Sequence, residues 1–185
     1  MRTDRKPIIF TYASIAVVAL YAASMMSAAQ SEGVMRSGPA VRTAQGQEIP
    51  AGSIGIVVIE SAREASLLQL RGIAGRGFAL LRNSDGNGCV QLPLRFVAGD
   101  FGGDGFASTQ ARPIRLTIND AGIAEALVGG LDIVSDHYHV GTSRIDQIAI
   151  VEGLTVEHGF VLNPGKSLLA DLLGADVNQV KCEAW

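Results

Sequence analysis

Between residues 49 and 185, apolar and polar positions alternate with a period of two, the pattern of half-buried strands. Residues 53–60 (SIGIVVIE) read as one strand. Val90, Leu92, Leu94 and Phe96 alternate with Gln91, Pro93 and Arg95, giving one face to a core and the other to water. Pro93 has no N–H to donate to a ladder, so this strand is expected at an edge or a bulge. Ile114, Leu116 and Ile118 alternate with Arg115 and Thr117 in the same way. Residues 131–140, 145–151 and 154–162 read as further strands, and 177–185 is placed to close the sheet.

Helical signals are fewer. Ser61-Ala62-Arg63-Glu64 has capping-box spacing, in which the Ser hydroxyl and the Glu carboxylate each satisfy a free backbone donor. With Ala65, Leu67 and Leu68 it predicts a short helix ending near Gly72. Residues 166–173 (KSLLADLL) predict a second helix stopped by Gly174, and a short helical piece is expected after Asp120. The expected fold is mainly β (α+β): an antiparallel β sandwich or partly open barrel with one or two short packed helices, preceded by an N-terminal hydrophobic helix.

That N-terminal segment sets the expected compartment. Arg2, Arg5 and Lys6 precede an apolar run over residues 8–29. Cations at the start of such a run stay in the cytoplasm, so the remainder faces outward. The run is long enough to cross a bilayer, which takes about 20 residues. Ser27-Ala28-Ala29 also supplies small residues for a signal-peptidase cut before Gln30. Residues 1–29 therefore read as a signal peptide or a transmembrane signal anchor. Residues 30–48, polar and without period, read as a flexible linker, and 49–185 as an extracytoplasmic β-rich domain in the periplasm or outside the cell.

Charge and cysteines refine this. The first seven residues carry a net +2 of the chain's −3, so the remainder stands at −5. An acidic domain repels phosphate backbones, which argues against nucleic acid as a partner. Cys89 and Cys182 are the only cysteines. In an oxidising compartment an even count points to a disulfide, here structural because no C-x-x-C pair exists.

The three histidines fall close together. His137-Tyr138-His139 puts two imidazoles on one face if residues 131–140 are a strand, and His158 shares parity with Leu154, Val156, Phe160 and Leu162. Pairing of the two strands would let His137, His139 and His158 converge, as three ligands with one open position do at a catalytic zinc. The Glu that would complete a cupin-type set is missing between 140 and 146. The bland alternative is one core His and two facing solvent. Asp100-Phe101-Gly102-Gly103-Asp104-Gly105 and Asp85-Gly86-Asn87-Gly88 read as turns before they read as calcium loops, because the EF-hand spacing and its Glu are missing. Residues 159–167 (GFVLNPGKS) imitate a phosphate loop, but with five residues between the glycines and Pro164 removing a donor. No G-x-S-x-G is present, and a Ser-based hydrolase would need His137 or His158 with Asp132, Asp136 or Glu157 assembled by the fold.

The expectation is a non-catalytic, membrane-anchored or exported domain that binds a protein partner in the envelope, with no cofactor. The alternative is a metal-dependent exported enzyme or metal-binding protein using zinc or another transition metal at the histidines.

Overall fold

A computed structural model describes residues 38, 40–43, 46–84, 88–103, 105–165 and 178–184, all within one unit, residues 34–185. The expected membrane segment 1–29 and the helix expected at 166–173 lie outside the described residues. Among the described residues, no helix is long and apolar enough to cross a membrane.

The protein is mainly β. In chain order the elements are β1 (Val41–Thr43), β2 (Glu48–Ile49), β3 (Gly55–Leu67), β4 (Leu70–Arg82), β5 (Cys89–Asp100), β6 (Phe106–Gln110) and β7 (Ile114–Ile118). There follow α1 (Ala121–Gly129), β8 (Ile133–Val134), a 3-10 turn (Ser135–His137), β9 (Val140–Gly141), β10 (Ile148–Glu152), β11 (Gly159–Asn163), β12 (Asn178–Val180) and β13 (Cys182–Ala184). The main sheet runs β8-β11-β5-β4-β3-β7-β10-β9, with β12 also on β5 and β6 also on β3. A small sheet, β13-β1-β2, stands apart from that order. Pairing is antiparallel except for β9 with β10, which run parallel. Strands β1 and β2 fall at the end of the expected linker 30–48, so the folded part reaches back to Val41.

The sheet must curl. Its two end strands, β8 and β9, are joined by residues 135–139 alone. Such a connection spans at most about 20 Å, whereas eight strands laid flat would stretch about 34 Å. The sheet therefore wraps into a half-barrel with its two ends meeting at residues 135–139. Of the two expected architectures, the partly open barrel describes this main sheet.

The inner face carries the core. Val90, Leu92, Leu94, Phe96 and Ala98 from β5 meet Ile114, Leu116 and Ile118 from β7, as their alternation predicts. Helix α1 closes over them with Ile123, Ala124 and Leu127. It starts where expected: the Asp120 carboxylate accepts from the Ile123 N–H at 3.1 Å, and Gly130 ends it with φ 82°. On the outer face, Ile56, Val58 and Leu80 pack with Val41, Ile49 and Cys89 beneath the small sheet. The Cys89–Cys182 disulfide bolts the two sheets together, as the even cysteine count predicts. Arg82, buried between them, donates to the Ser53 carbonyl at 2.8 Å, and burial pushes its guanidinium below its ordinary pKa.

Several expectations are overturned. Ser61 to Leu68 does not form a helix; most of it is the second half of β3, paired along β4 from Leu70 to Arg76. A bulge at Glu60 makes this possible, because it shifts parity and leaves Ala62 inside and Arg63 outside. Close approach there demands Gly77, where a Cβ would stand 1.8 Å from the Val58 carbonyl oxygen. Pro93 is not on an edge strand, since β5 is central. It stands opposite Phe78 of β4 and, on its other side, falls between the stretches of β5 that pair with β12 (89–91) and β11 (95–99). Residues 131–140 and 154–162 are strands only at Ile133–Val134, Val140–Gly141 and Gly159–Asn163.

Candidate functional site

The expected histidine cluster sits at the seam where the half-barrel fails to close. His137 ends the 3-10 turn, His139 follows it, and His158 precedes β11. All three border one cleft of about 570 Å³, together with Asp136, Gln147 and Glu157. They do not assemble as ligands. His137 and His139 are exposed, and His158 is only 7% exposed and turned away into a network of its own. Among the described residues, no group of three or more His, Cys, Asp or Glu is placed to hold a metal. The shared-face argument fails because residues 135–137 are a helical turn, in which side chains do not alternate.

The network around His158 was not legible in the sequence. Asp100, at the end of β5, receives Nε and Nη2 of Arg71 at the start of β4, the Nε contact at 3.0 Å. Its Oδ1 also accepts from the Gly102 N–H at 3.0 Å. The hydrogen bond from Arg71 holds the Asp100 carboxyl below the usual carboxylate range, against the opposing effect of burial. His158 Nε2 lies 3.3 Å from Asp100 Oδ2. The Thr155 N–H points at His158 Nδ1 from 3.2 Å, so Nδ1 must accept and Nε2 must carry the proton toward Asp100. The Thr155 hydroxyl also reaches Nδ1, at 2.8 Å.

Thr155, His158 and Asp100 thus stand in the order of a hydroxyl–imidazole–carboxylate relay. Two features spoil it as a proton relay. Asp100 is already neutralised by a two-pronged guanidinium, which removes its pull on the imidazole. Nδ1 is shared with a backbone donor that cannot leave, within a turn closed by the His158 N–H on the Thr155 carbonyl. The arrangement suits fastening: it ties β4, β5 and the approach to β11 at one end of the sheet. It also commits Asp100, the first carboxylate of the Gly-rich loop, to Arg71 and the Gly102 N–H.

That same end presents a cluster of exposed apolar side chains. Leu70, Leu67 and Phe106 lie in register across β4, β3 and β6, and Leu68 and Phe101 flank them. All five are exposed, Leu68 at 61%, Phe106 at 75% and Phe101 at 88%. The two loops are tied by backbone hydrogen bonds, Leu68 to Gly105 at 2.8 Å and Gly103 to Gln69 at 3.2 Å. Gly103 permits this contact, since a Cβ there would meet the Leu70 carbonyl at 2.4 Å. Leu68 has φ 56°, the left-handed region that leucine avoids at a cost of about 1–2 kcal/mol. Beside the tip, β6 (FASTQ) is exposed at every residue, pairs only with β3 among the described residues and contains no charge or proline. Its outer backbone edge lacks the usual protection against pairing.

No protein-family model matches the chain, and no curated protein and no solved structure matches it.

Proposed function

We propose that this is a non-catalytic binding domain, carried beyond a membrane by its N-terminal segment, that docks a protein partner through the tip formed by Leu67, Leu68, Leu70, Phe101 and Phe106. One observation carries the reading. Leu68 is strained and exposed at once, and a Gly or Asn there would relieve the strain. Leu68 opens the two-residue turn between Leu67 and Leu70, where a positive φ is needed. A leucine there in place of glycine or asparagine is a strained choice of the kind found at contact sites, and clustered exposed apolar side chains mark interaction surfaces. The partner is taken to be a protein rather than a lipid surface because the outer edge of β6, which pairs only with β3 among the described residues, offers backbone groups. An extended segment can pair with them and a lipid cannot. The disulfide supports an oxidising, extracytoplasmic setting.

The test compares native-level partner recovery from neutral-detergent extracts for the wild type, Leu68→Asp and Phe106→Asp. Both variants should fold, since each changes an exposed side chain, and both should lose a co-purifying protein that the wild type retains. Undiminished recovery refutes the reading. Flotation of the wild type with protein-free liposomes, abolished by both variants, would replace the protein partner by a lipid surface.

A further inference from the structure

The small sheet covers the outer face of the β3–β4 hairpin only over its first half, at Ile56, Val58 and Leu80. Beyond the bulge, the small sheet does not reach this face among the described residues. Cross-strand register fixes what it presents. Ser61, Arg76 and Arg95 form one row across β3, β4 and β5, and Arg63, Ala74 and Val97 form the next, with Gln110 of β6 beside Arg63. These residues border a cleft of about 850 Å³ to which Ser108 also contributes.

The cleft's charge is one-sided. Among the described residues, Arg63, Arg76 and Arg95 are its ionisable lining residues and no carboxylate borders it. Among the described residues, none of the three makes an ion pair or a guanidinium hydrogen bond. Arg42, Arg71 and Arg115, by contrast, each have a carboxylate partner. Arg76 and Arg95 are directly opposed on neighbouring strands, where side chains start about 5 Å apart and like charges destabilise the sheet. Arg63 is the diagonal neighbour of Arg76, about 7–8 Å away. Three such cations on one face, with no carboxylate among the described residues to offset them, favour an anion there. Guanidinium groups keep their charge and grip oxyanions with paired donors.

We propose that this face binds a ligand carrying at least two oxyanion groups, phosphate or carboxylate, one clamped between Arg76 and Arg95 and the second held by Arg63, with Gln110 and Ser108 offering further hydrogen bonds. The flat floor formed by Ala74 and Gly75 leaves room for the ligand to lie along the strands. This site does not depend on the apolar tip, and either can fail without the other.

The experiment is calorimetric titration of the full-length chain, in neutral detergent at low ionic strength, with tripolyphosphate and separately with citrate. Either probe should bind, and which one binds more tightly identifies the anion class. Arg76→Gln and Arg95→Gln should each weaken binding tenfold or more. Arg144→Gln removes the same charge at an exposed site elsewhere and should leave binding within twofold. Without ligand, Arg76→Gln should unfold at a temperature no lower than the wild type, because it removes a repulsion. Failure of both probes to bind overturns the proposal, as does an equal loss in Arg144→Gln, which would reduce the effect to overall charge.

Discussion

Asp100→Asn tests the fastening at the barrel's end. The substitution keeps the shape and keeps an oxygen for His158 Nε2, but it removes the negative charge facing Arg71. Arg71 is then left with Glu64 at 3.8 Å, a long contact between two side chains each 32% exposed, worth little. The Asp100 side chain is only 12% exposed and receives two donors from Arg71. Hydrogen bonds to charged groups contribute about 1.5–3 kcal/mol each, and with Arg71 partly exposed the lower end applies, so the loss at neutral pH should be about 2–3 kcal/mol. The pH dependence gives an independent check. Asp100 is held below its ordinary value of 3.8 when folded. Its contribution is therefore complete above about pH 5 and disappears as the pH falls through that value toward the folded one. Glu64, Arg71 and His158 are common to both proteins, so the difference between them isolates Asp100. Urea unfolding at about pH 7 should show the variant's midpoint lower by about 1–2 M for a typical slope, and the gap should shrink steadily below about pH 4. A gap that stays constant down to about pH 2.5 would refute the assignment of the stabilisation to this carboxylate.

Reduction of the Cys89–Cys182 bond, which closes a sequence separation of 93, should cost about 4–5 kcal/mol in the chain-entropy picture. The check is urea unfolding with and without reductant. Leu68→Gly should leave stability unchanged or raise it by up to about 1 kcal/mol, relief of the left-handed strain outweighing the entropy of glycine, while partner recovery falls. Protein purified without chelators should contain no stoichiometric zinc, copper or iron by elemental analysis, because both ring nitrogens of His158 are engaged.

The parts of the fold legible in the sequence are those where one face is buried over several alternating positions. Val90 to Phe96 and Ile114 to Ile118 are strands because their apolar sets repeat every second residue, and α1 begins at Asp120 because that carboxylate caps it locally. Where long-range pairing decides, local signals mislead. Ser61 and Glu64 have the spacing of a cap, yet they lie in a strand because β4 offers a complete ladder. Strand β4 itself (LRGIAGRGFALLR) gives no clear period, since Gly72, Gly75 and Gly77 read as turn formers. Gly75 and Gly77 are there to admit the bulged β3 at close range. The candidate sites divide the same way. His137, His139 and His158 could be found by type and spacing but not their separate engagements. Asp100 and Arg71, 29 residues apart, carry no local mark of their pairing. The strain at Leu68 is a backbone property that its sequence neighbours do not reveal.

The docking account turns on what position 68 touches in the cell. A photo-crosslinking residue placed there in native cells should yield one discrete protein adduct. The same residue at Glu125, exposed on α1, should yield none. No adduct from position 68, or equal labelling from both positions, would contradict the account.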